Sequence, residues 1–106
     1  MVSKTIQVDE TLSEDVLQFA QQHGIVEYVE KAMKAAREVF TDAERVTASL
    51  KRDPEYANIY VDVHVVLRPD EEPETAAEKE SECVSRWVSF MPPQVDQISL
   101  SSSWAS

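Results

Sequence analysis

Ile59-Tyr60-Val61-Asp62-Val63-His64-Val65 decides the fold. Apolar side chains fall at every second position, with Tyr60, Asp62 and His64 between them. That is the period of a β-strand with one face buried. Upstream, Val46-Thr47-Ala48-Ser49-Leu50-Lys51 alternates the same way. The segment between them, Arg52 to Asn58, holds Asp53 and Pro54, residues that favour turns by local hydrogen bonding and by a fixed φ. Residues 45–68 therefore read as a β-hairpin. Its connection is too long for a two-residue turn and has no glycine.

The rest of the chain reads as helices gathered around that hairpin. Thr11-Leu12-Ser13-Glu14 fits a capping box at the start of a first helix. Leu12, Val16, Phe19 and Ala20 then share a face at helical spacing, and Gly24 ends the helix. A second helix spans about 26–39, with Val29, Met33, Ala36 and Phe40 in one stripe and Ala32 and Val39 beside it. Glu27 with Lys31, and Glu30 with Lys34, are Glu-before-Lys pairs on its outer side. A third helix is predicted over 74–90, stopped by Pro92-Pro93. Its core stripe reads as Ala77, Ser81, Val84, Val88 and Met91, with Cys83 and Trp87 next to it. Residues 95–104 alternate again and give a third strand, with Ile98 and Leu100 inward and Gln97, Ser99 and Ser101 outward. Residues 1–10 read as a short strand or a loose arm.

The order is α-α-β-β-α-β. It predicts a two-layer α+β domain over 1–106, with a small, mostly antiparallel three-stranded sheet covered by helices on one face. Either hairpin strand can be central: the second by apolar content, the first because both its neighbours would then run antiparallel. A crossover joining parallel second and third strands would be right-handed.

Composition bounds the function. The 106 residues carry 10 Lys and Arg against 20 Asp and Glu, a net charge of −10, which counts against binding nucleic acid or an anionic membrane surface. A single glycine excludes Gly-rich phosphate cradles. No apolar run reaches the roughly eighteen residues of a membrane span. The one cysteine forms no internal disulfide, and no signal-peptide pattern opens the chain, so a cytoplasmic setting is expected.

Asp53-Pro54-Glu55, Trp87, Pro92-Pro93 and Ile98-Ser99-Leu100-Ser101 bring in a resemblance. Over residues 12–104 the chain resembles a family of small uncharacterised bacterial α+β proteins. In these, two short helices lead to a hairpin with an Asp-Pro-Glu turn, then a helix ending near Trp and Pro, then an Ile-x-Leu-Ser strand. The resemblance implies no activity. It implies a protein encoded beside a partner and acting through it. The serine-rich end and the charge balance of the third helix depart from the family pattern.

Tyr60, Asp62 and His64 form the best polar cluster, because residues two apart on a strand share a face. Asp62 can orient His64 as a general base, with Ser99 or Ser101 as nucleophile. The competing reading is an ordinary polar sheet face. Cys83 reads as a small buried apolar residue whose thiol is held neutral by Glu80 and Glu82. Seven acids stand against Lys79 between Pro69 and Glu82. Without calcium-loop or zinc spacing they read as a solvated helix start, and no cofactor or metal is expected.

The expectation is a non-enzymatic protein–protein interaction or accessory module. Asp70, Glu71, Glu72, Glu74 and Trp104 would be contact residues, and homodimerisation is a further prospect through exposed sheet edges. Two alternatives stand beside it. One is a ribbon-helix-helix-like DNA regulator through residues 3–39, with Thr5 and Gln7 facing the bases. The other is a small enzyme or ligand-binder on the Tyr60, Asp62 and His64 face.

Overall fold

The computed structural model describes residues 13–55, 58–92 and 97–105. The elements run α1 (Glu14–His23), α2 (Val26–Val39), β1 (Arg45–Arg52), β2 (Ile59–Leu67), α3 (Pro73–Phe90) and β3 (Ile98–Trp104), an α+β fold in the expected order. The sheet order is β1-β2-β3, so the more apolar hairpin strand is central. The sheet is mixed. β1 pairs antiparallel with β2, from Arg45 opposite Val66 to Arg52 opposite Ile59. β3 pairs parallel with β2, from Val61 beside Ile98 to Leu67 beside Trp104. A parallel partner needs a crossover, and α3 supplies it.

Register assigns the two faces. Val61, Val63, Val65 and Leu67 are at most 1% exposed and point into one core with Val46, Ala48 and the helices. Each contributes about 1.5–3 kcal/mol by leaving water. Ile98 and Leu100 pack against the edge of that core. The β2 residues between the valines point to the opposite face.

The helices form for local reasons and hold for packing reasons. α1 begins later than its capping signal predicts. Ser13 is the N-cap and Glu14 is the first helical residue, so Glu14 is not in the third position that a Thr11 capping box needs. Thr11 and Leu12 lie outside the described residues. Ser13 bonds the Asp15 carboxylate rather than a backbone N–H, and Asp15 in turn accepts from the Val16 N–H at 2.8 Å. These bonds stabilise the Asp15 anion and lower its pKa. Gly24 ends α1 at φ 67°, with the Ile25 N–H bonded to Ala20 O and its own N–H to Gln21 O. That double bond pattern needs a left-handed residue, which glycine supplies without a Cβ penalty. α2 occupies its expected span, and Val29, Ala32, Met33, Ala36 and Val39 are all buried. Lys31 closes on Glu27 at 3.0 Å.

α3 has the expected extent, with Pro73 in its first turn. Its buried face is not the predicted one. Ala76, Cys83 and Trp87 are buried, while Ala77 and Ser81 are exposed and Val84 and Val88 are 46% and 71% exposed. The helix carries two apolar stripes one residue apart, and the one with tryptophan faces in. Trp87 packs against α2 and donates its indole N–H to Ala32 O at 3.3 Å.

Candidate functional site: a hydrogen-bonded face of the sheet

On the face away from the core, β2 offers Tyr60, Asp62 and His64, and β3 offers Ser99, Ser101 and Ser103. Parallel register sets Ser99 beside Asp62, Ser101 beside His64 and Ser103 beside Val66. Thr47 and Ser49 of β1 stand opposite His64 and Asp62. The neighbouring strand thus brings three hydroxyls to two β2 side chains.

Asp62 is 6% exposed, the one charged residue buried among those described. Its Oδ1 accepts from Ser99 Oγ at 3.2 Å and its Oδ2 from Ser101 Oγ at 2.8 Å. A buried carboxylate is tolerable only with such partners. His64 Nδ1 stands 2.7 Å from Ser101 Oγ, and Nε2 stands 2.8 Å from Ser103 Oγ. The direct separation of His64 Nδ1 from Asp62 Oδ2 is 4.0 Å, so Ser101 links the two.

Proton counting orients the chain of bonds. Ser101 has one hydroxyl proton and gives it to Asp62. Its oxygen therefore faces Nδ1 as an acceptor, and Nδ1 carries the ring proton. In the neutral imidazole Nε2 is then the acceptor, and Ser103 donates to it. A bare Nε2 against a hydroxyl is the arrangement a general base requires. The same bonds also bind β3 to β2 through side chains.

The pairing of Asp62 with His64 was legible from the strand period, and Ser99 and Ser101 were named from it. Ser103 was missed. Its signal was the continued alternation Ser99-Leu100-Ser101-Ser102-Ser103, which places a third hydroxyl on the same face. Ser102, on the other face, donates to Glu80 of α3 at 2.5 Å. Tyr60 shares the polar face and lines a hollow with Phe19, His23, Asn58 and Ser99, the last of which donates to Asp62. A separate shallow hollow includes Arg45, Thr47, His64, Ser103 and Trp104.

The expected contact residues divide. Asp70, Glu72 and Glu74 are exposed, and Asp70 meets Arg68 at 3.3 Å. Glu71 turns inward and pairs with Lys79 at 3.2 Å. Trp104 is 45% exposed and donates its indole N–H to Glu71 O at 2.8 Å, so it fastens the end of β3 to the start of α3. Cys83 is fully buried, and its thiol is pushed up to about 11. Burial is the main cause. Arg86 lowers it, and Glu80 and Glu82, the cause expected from sequence, raise it by a smaller amount.

Among the described residues no three His, Cys, Asp or Glu side chains are grouped to hold a metal ion. No helix among them is long and apolar enough to cross a membrane. The arm with Thr5 and Gln7 lies outside the described residues. No family model, curated protein or solved structure matches the chain.

Proposed function

We propose that this chain works in the cytoplasm by binding another protein, as an accessory or regulatory module of the kind its family resemblance implies. One observation carries the reading. α3 turns Val84 and Val88 to solvent along its length, beside exposed glutamates, although the same helix already buries a full stripe against α2. Contiguous exposed apolar side chains mark contact surfaces, whereas singly scattered ones do not. The polar sheet face suits this reading as a clasp, since Asp62 and His64 are bonded at both oxygens and both nitrogens. The test is co-purification of the tagged full chain from its own cells at low and high salt. A stoichiometric protein partner is expected at low salt, and none at either salt removes the reading.

A second reading rests on the proton geometry at Ser103. Its hydroxyl lies 2.8 Å from His64 Nε2 beside a hollow, an arrangement that suits a small hydrolase or ligand-binder. A fluorophosphonate probe should then label Ser103 in the wild type and fail to label His64→Ala. Equal labelling of both, or of neither, eliminates it.

A further inference from the structure

The outward stripe of α3 has a definite period. Ala77, Ser81, Val84 and Val88 are spaced four, three and four apart, the heptad spacing with which one helix packs along another. The inward stripe, Ala76, Cys83, Trp87 and Phe90, packs into the core, and Glu80 on the same side accepts from Ser102 of β3. The outward seam has no such cover among the described residues at Val84 and Val88. Its side chains are small, which lets a second helix approach closely.

Charge selects the occupant. Exposed Glu78 lies one residue outside the seam, where a two-helix pair carries its cross-helix charges. Glu74 extends the seam toward the helix start. Both are acidic, and the chain as a whole carries −10. A second copy of α3 packed in parallel would set glutamate against glutamate, and the net charge opposes self-association in either orientation. A helix with Lys or Arg flanking its apolar stripe meets opposite charge at Glu74 and Glu78. We infer that the outward seam of α3 docks an amphipathic helix of a different protein, with basic residues bordering its apolar face. This rests on the reading of the chain as a protein-binding module and names the partner's chemistry.

The probe is a labelled three-heptad peptide with Leu at the seam positions and Lys on both flanks, titrated into the full chain by fluorescence anisotropy. Binding is expected, weakening with salt. It should fall roughly tenfold or more for a peptide with Glu flanks, for Val84→Glu with Val88→Glu, and for Glu74→Lys with Glu78→Lys. Both valines are exposed, so circular dichroism should find the valine double variant folded with its melting temperature unchanged. Failure of the Lys peptide to bind, or equal binding by the valine double variant, overturns the inference. So does sedimentation of the wild type as a dimer that the double variant dissolves, because the seam then belongs to a second copy. If a co-purifying partner survives the valine double variant, the contact lies elsewhere on the molecule. The docking seam is then wrong while the broader reading stands.

Discussion

Asp62 is where burial and charge conflict. The side chain is 6% exposed and keeps its place because two serine hydroxyls reach it from the adjoining strand. Charge-assisted hydrogen bonds of this kind contribute about 1.5–3 kcal/mol, and leaving a buried partner unsatisfied costs about 1–3 kcal/mol. Asp62→Asn should therefore destabilise the fold by about 1–3 kcal/mol, because its amide nitrogen offers protons where a hydroxyl already donates. A double-mutant cycle of Asp62→Ala with Ser101→Ala, followed by urea denaturation, should give a coupling of about 0.5–3 kcal/mol. Strict additivity would mean the clasp does not hold β3. Cys83 gives a pH test. Its folded pKa, about 11, lies above the ordinary value of 9.0, so the folded state keeps the proton longer than the unfolded state does. Stability should be intact below pH 9 and fall as pH rises from 9 to 11, by a total of about 2–3 kcal/mol. Denaturation midpoints of wild type and Cys83→Ala across that window would check it. Parallel slopes would refute the assignment to this thiol.

At the scale of the element, α3 presents two stripes to choose between. Residue pairs 76/77, 83/84 and 87/88 set an inward side chain next to an outward one. Trp87→Ala should cost about 3–5 kcal/mol, as expected for removing a buried indole. Val88→Ala should stay within about 0.5 kcal/mol, as at other surface sites. Thermal melts of the two variants would rank them, and a larger loss at Val88 would reverse the orientation given to the helix. The sequence could not settle this by period alone, since both stripes fit a helix equally well. Size could have settled it: tryptophan buries about 150–250 Å² and belongs inside when a valine is the rival. The hairpin and α2 were legible because each has a single apolar face. The two faces of β2 are legible too, because its period of two sets Asp62 and His64 on one face. The direction of β3 was not, because serine alternation carries no sign of parallel or antiparallel pairing. Without that direction, the three hydroxyls could not be placed on their partners.

For the whole molecule, the decisive feature is that β3 is both the last described strand and the cover of the central one. β2 is the middle strand only because β3 pairs along Val61 to Leu67. Val61 N–H donates to Gln97 O at 2.6 Å and Ala105 N–H to Leu67 O at 2.8 Å, so the pairing extends past both ends of the strand. Trp104 and Ser102 then tie β3 to the start and middle of α3. Cutting the chain after Pro92 would remove all of this together. β2 would become an edge, with a row of unpaired backbone groups beside three fully buried valines, and Asp62 would lose both donors. Exposed edges of that kind pair with other chains. The charge of −10 opposes such association in the intact protein. It should not rescue the shortened one, because β1 and β2 carry few acids and the strongly acidic stretch lies in and around α3. The truncated chain should lose its cooperative thermal transition and sediment as aggregate, while the intact chain melts in one step. If the truncated chain melts cooperatively at the same temperature, then β3 and its serine clasp are ornaments to a fold held by the hairpin and helices alone.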